Sequence, residues 1–119
     1  MAALAPVPAH REPGDRGRLR IADRVYARIA ARAAREALAD AWHGRTARGG
    51  PPKVSVGGPA HPGAPITVRV SVDLPFPSDL ATLGRAVRDR ITTDTRTLTG
   101  TRVAEVVVVI EHLLPEPAR

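Results

Sequence analysis

The side chains that could carry out chemistry in this 119-residue chain are its histidines, serines and carboxylates. The four histidines, His10, His43, His61 and His112, show no H-x-x-x-H spacing, and no carboxylate cluster accompanies them. No serine lies in a G-x-S-x-G motif, and the chain has no cysteine. The acidic residues are spread beside arginines, as in surface ion pairs. We therefore expect no enzymatic activity, no metal ion and no cofactor.

Arginine is the other chemically distinctive residue. The formal net charge is +6, and Lys53 is the single lysine among 18 basic residues. Five arginines fall on one strip of the first predicted helix and form what we call the arginine surface: Arg20, Arg24, Arg28, Arg32 and Arg35. This pattern predicts either a site for an acidic protein or anionic lipid, or an ordinary solvated helix face.

Nucleic acid is a further candidate partner, because the sequence pI is about 11.3. Gly14–Gly17 fits the G-x-x-G clamp of KH domains, but a Pro-rich segment precedes it where a helix is needed. The aromatic residues Tyr26, Trp42 and Phe76 lie on separate elements, so they form no stacking platform. A small basic nucleic-acid-binding module is thus the alternative function, and nucleic acid is the less favoured partner.

Hydrophobic periodicity predicts five elements in the order helix, strand, strand, helix, strand. Their predicted bounds are 19–41, 53–56, 66–74, 79–97 and 102–111. The apolar face of the first helix is expected to hold residues at a spacing of four and their neighbours: Ile21, Val25, Ile29, Ala33, Ala22, Tyr26 and Ala37. Ser78 is expected to cap the second helix, and Gly100 to end it.

This order predicts an α+β fold, a two-layer domain with a small three-stranded sheet and two helices on one face. The single domain spans 19–114 and includes a Pro/Gly-rich loop at 44–65. Residues 1–18 and 115–119 are expected to be tails. No apolar stretch is long enough to span a membrane, which predicts no direct membrane insertion.

The last strand is apolar on both faces, and helices on one side of the sheet cannot cover both sets of side chains. Val107 and Val109 share the parity of Glu105, so we expect them on the face away from the helices. Burial of these valines against a second copy of the chain would stabilise an oligomer. The sequence therefore predicts self-association through Val107 and Val109.

Four segments resemble the bacterial alkaline shock protein family, also called the envelope stress response family. Residues 17–25 read GRLRIADRV, like the opening of that family, and the alternating strand 66–74 has a counterpart there. The helix from Leu80 to the pair Thr99-Gly100 matches the family's spacing without a gap, and a Val-rich closing strand follows. The chain departs from the family after the alternating strand, at 75–78, and after the first helix, at 42–44.

The resemblance implies a non-enzymatic cytoplasmic protein of Gram-positive and actinobacterial cells that responds to envelope or alkaline stress. Proteins of this family self-associate as scaffolds. Small membrane-anchored partners recruit them, which would place this chain at the inner face of the cell membrane. The family contributes no catalytic residues.

Overall fold

The computed structural model describes residues 21–45 and 49–115. Within them lie two helices and three strands: α1 (Asp23–Trp42), β1 (Lys53–Gly57), β2 (Ile66–Phe76), α2 (Leu80–Thr99) and β3 (Val103–Pro115). The element order and the α+β class predicted from periodicity are confirmed. The predicted tail at 1–18, Arg20 and residues 116–119 lie outside the described residues. Pro115, which was predicted to begin the C-terminal tail, instead ends β3, so this strand is longer than predicted.

The sheet has the strand order β1-β2-β3. β1 pairs antiparallel with β2, whereas β3 pairs parallel with β2 and is reached through α2. Parallel neighbours need a long crossover connection, which α2 provides here. The strand order leaves β1 and β3 as the two edge strands.

The core lies between the sheet and the helix layer. Every second residue of β2 is buried there: Ile66, Val68, Val70, Val72 and Leu74. Both helices pack on this face, with α1 against β1 and β2 and α2 against β3. The opposite side of the sheet, which we call the outer face, has these residues by strand register: Lys53, Ser55, Thr67, Arg69, Ser71, Asp73, Glu105, Val107, Val109 and His112.

The buried face of α1 agrees only in part with the predicted one, since Tyr26 and Ala33 are buried as expected. Its buried residues are Tyr26, Ala30, Ala33, Ala34 and Leu38. The expected core residue Val25 is 42% exposed, and Ile21 and Ile29 are only half-buried. A four-residue repeat drifts around a helix of 3.6 residues per turn, so these larger side chains lie at the border of the core. Small alanines instead allow α1 to approach the sheet closely.

The cap of α2 is Asp79, not the predicted Ser78. The Asp79 carboxylate accepts a hydrogen bond from the Thr82 backbone N–H at 3.1 Å and another from its hydroxyl at 2.8 Å. These hydrogen bonds lower the pKa of Asp79. Gly100 ends the helix as predicted, with φ of 75°, a conformation that glycine adopts without steric cost.

β2 is longer than predicted, because it continues through Pro75 to Phe76. The pairing with β1 ends at Ser71, so Pro75 lies where the strand has one open side. Proline is tolerated in a strand at such a position.

Candidate interaction surfaces

The arginine surface points away from the core of α1. Arg24, Arg28, Arg32 and Arg35 are all exposed, on the side of the helix opposite its buried alanines. Among the described residues, no carboxylate forms an ion pair with Arg24, Arg28 or Arg35. Three guanidinium groups are therefore available on one helix face for an anionic partner.

Arg32 differs from the other three because it is engaged within the protein. Its Nε donates to Glu36 Oε2 at 3.0 Å, and Glu36 also pairs with Arg90 of α2. The hydrogen bond from Arg32 lowers the pKa of Glu36, and the positive charge of Arg90 lowers this pKa further. Arg90 in turn pairs with Asp94 at 3.0 Å, so a charged network joins the two helices.

The outer face of the sheet is polar along its central strand and apolar only along β3. Thr67 and Arg69 of β2 are exposed there, and their register partners on β3 are Glu105 and Val107. Val109 lies on the same face and is half-buried. The structure thus brings Val107 and Val109 to the face opposite the helices, in two neighbouring rows of the sheet.

The apolar exposure of β3 is not confined to that face. Val107, on the outer face, is 36% exposed, while Ile110 and Leu113 are 38% and 41% exposed. By register Ile110 and Leu113 pair with Val72 and Leu74, so they lie on the helix side of the sheet. Both sides of β3 therefore present apolar side chains to solvent.

A polar cluster at one end of the outer face was missed by sequence reasoning. His112 Nδ1 lies 2.8 Å from Asp73 Oδ1, and the Gly50 backbone N–H donates to Asp73 Oδ2 at 3.0 Å. Lys53 pairs with Glu111 at 3.9 Å. Ligand atoms of Asp73, Glu111 and His112 lie within 4.8 Å of one another, although 39 residues separate Asp73 from His112.

This cluster joins all three strands through hydrogen bonds and ion pairs. Burial alone would raise the pKa of Asp73, but the hydrogen bonds from Gly50 and His112 more than offset it, and the pKa is lowered. Only strand register brings these groups together, so no local motif could have revealed the cluster. Its nitrogen groups each pair with a carboxylate oxygen of Asp73 or Glu111, as in a structural network.

Arg45 and Gly49 both contact the same end of β2. A Cβ on Gly49 would lie 2.6 Å from Asp73 Cβ and 3.0 Å from the Trp42 ring. Arg45 donates from Nη2 to the Phe76 carbonyl at 3.0 Å. Glycine at position 49 is therefore required by the close approach of the loop to the strand.

No helix among the described residues combines the length and apolar character needed to cross a membrane. In comparison with known proteins, no family model, curated protein or solved structure matches this chain. The resemblance to the alkaline shock protein family accordingly stays a prediction.

Proposed function

We propose that this protein is a non-enzymatic scaffold of the envelope or alkaline stress response. It self-associates in the cytoplasm and is recruited to the inner face of the membrane by a small membrane-anchored partner. The observation that carries this proposal is the apolar exposure of β3, where Val107, Ile110 and Leu113 are more than one third exposed. Their burial against another protein surface is favourable.

The arginine surface supports recruitment as a separate event. It lies on the helix layer, on the side of α1 away from the sheet, whereas β3 is an edge strand of the sheet layer. An anionic partner on Arg24, Arg28 and Arg35 would leave β3 accessible. Self-association and recruitment can then occur together, as a scaffold requires.

The test is the location of the tagged protein in its source bacterium before and after alkaline or cell-wall stress. The proposal predicts that the protein sediments with membranes after stress, and that high salt releases it, because guanidinium contacts with anionic groups are screened. A protein that stays in the soluble fraction under every stress would contradict the proposal.

Nucleic-acid binding is the second candidate, and it is favoured by the three arginines of α1 that pair with no carboxylate of the described residues. If Arg24, Arg28 and Arg35 contact three phosphates of duplex DNA, the logarithm of the binding constant should fall with the logarithm of the salt concentration with a slope of about −3. The scaffold proposal predicts only weak, nonspecific retention on DNA at physiological salt. A salt titration on a DNA column distinguishes the two functions.

A further inference from the structure

We infer that the free edge of β3 pairs antiparallel with β3 of a second copy, which joins two three-stranded sheets into one six-stranded sheet. This inference rests on the proposed self-association and specifies its geometry. It also revises the expectation from the sequence, in which the outer face alone formed the contact.

The two edges of the sheet are protected to very different extents. β1 has five residues, carries Lys53 and is flanked by Pro51, Pro52 and Pro59. Short length, lysine and proline are the devices that prevent edge strands from pairing with other chains. β3 has 13 residues, and its stretch 106–110 is an uncharged run of valine and isoleucine. β3 is therefore the edge suited to accept a further strand.

The exposed side chains indicate a partner beside the strand and not on one face of the sheet. A face-to-face contact on the outer face would cover Val107 but leave Ile110 and Leu113 in water, because they lie on the helix side. A neighbouring strand contacts the side chains on both sides of an edge strand at once. It also satisfies the outward backbone N–H and C=O groups of β3.

The run 106–110 is self-complementary in an antiparallel pair. A two-fold axis at Val108 places Val106 of one copy opposite Ile110 of the other on the helix side. It also places Val107 opposite Val109 on the outer face. Each residue of the run then meets a β-branched partner, a combination that stabilises antiparallel strands.

The charges beside this edge are of both signs in the groove next to α2, whereas on the strand itself the two-fold axis brings Glu105 opposite Glu111 of the second copy, a like-charge pair that the β-branched run must outweigh. A groove between α2 and the edge is lined by Arg88, Asp89, Glu105 and neighbouring threonines and valines. Arg88 and Asp89 lie 3.7 Å apart. A surface with both signs can complement itself, whereas a strongly acidic or basic partner would meet repulsion as well as attraction.

The first test compares two variants that each add one positive charge. Ile110→Lys places a lysine on the edge strand, on the helix side, and should convert the oligomer to monomer in sedimentation velocity. Thr67→Lys places a lysine on the central strand in the outer face and should leave the oligomer intact. If Thr67→Lys dissociates the oligomer and Ile110→Lys does not, the contact is face to face and edge pairing is overturned.

The second test needs no change at the interface, so it does not depend on the folding of Ile110→Lys. The chain has no cysteine, so Ser55→Cys on β1 gives a single spin-label site on each copy. Edge pairing separates the two β1 strands by five strand spacings, about 24 Å, whereas stacked outer faces bring them to about 10 Å. The short distance would overturn the inference.

The tests also separate this inference from the proposed function. A wild-type protein that is monomeric at micromolar concentration would overturn both. If Ile110→Lys is still oligomeric and its circular dichroism spectrum is that of the folded protein, edge pairing alone is overturned. An open polymer in which β3 pairs with β1 of the next copy would also overturn it. Such a polymer would be recognised because its mass keeps rising with concentration, whereas a dimer reaches a fixed mass.

Discussion

A variant with reversed charges on the arginine surface tests whether this surface binds a partner or is an ordinary solvated helix face. The variant Arg24→Glu, Arg28→Glu, Arg35→Glu changes the three arginines that form no ion pair with a described carboxylate. Arg32 is left in place, because its pairing with Glu36 connects α1 to the network with α2. Each reversal changes the charge by two, so the three bring the formal net charge from +6 to zero.

The expected loss follows from the number of free guanidinium groups. Each basic residue near an anionic membrane surface contributes about 1 kcal/mol, so losing three and adding three carboxylates costs between about 3 and 6 kcal/mol. At 1.4 kcal/mol for each factor of ten, binding falls by at least about 100-fold. The fold should persist, because the replaced side chains are exposed and the new i,i+4 pair from position 28 to Arg32 is attractive.

The assay is cosedimentation with phosphatidylglycerol-containing vesicles or with an acidic partner peptide. The matched control reverses Arg85, Arg96 and Arg102, which are exposed on α2 and in the turn that follows it and change the net charge equally. This control should retain clearly more binding than the α1 variant. If both variants lose the same binding, net charge and not the position of the arginines explains the loss. If the α1 variant binds as well as the wild type, the arginine surface is not an interaction site.

Three further predictions test the architecture. Gly49→Ala should destabilise the fold by about 1–3 kcal/mol through the forced contact with the β2 strand, while Gly84→Ala in open space within α2 should stabilise it by about 0.5–1 kcal/mol in urea titrations. Asp79→Ala should lower the melting temperature, whereas Ser78→Ala should leave it unchanged, and the reverse order would restore Ser78 as the cap. Asp73→Asn should cost about 1–2 kcal/mol at neutral pH. The pKa of Asp73 is lower in the folded than in the unfolded state, so its charged form stabilises the fold above the unfolded pKa of about 4. The difference in stability between the wild type and Asp73→Asn should therefore disappear as acid protonates the carboxylate. A constant difference in thermal melts down to acid pH would contradict that assignment.

Local periodicity predicted the elements well because their signals lie within one turn or one strand. The alternation in β2 identified its buried residues, and Gly100 marked the end of α2. The face of α1 was predicted only in part. Tyr26 and Ala33 are buried as expected, but Val25 and Ile29 outweigh alanine on a hydrophobicity scale, whereas close packing also selected Ala30 and Ala34.

The candidate surfaces were only partly predictable. The exposure of Arg24, Arg28 and Arg35 follows from helical spacing, and the parity of Glu105 placed Val107 and Val109 on the outer face. Two register irregularities interrupt β3, one after Ile66/Val103 and one after Val72/Ile110. Strand register beyond them cannot be read from alternation, so the meeting of Asp73 with His112 and the exposure of Leu113 on the helix side were not foreseen.

Sedimentation velocity of the wild-type chain over the micromolar range tests self-association most directly. The chain has a mass of 12.6 kDa, and burial of the exposed β3 side chains predicts a species of twice that mass that becomes dominant as concentration rises. A single 12.6 kDa monomer at every concentration would contradict the account.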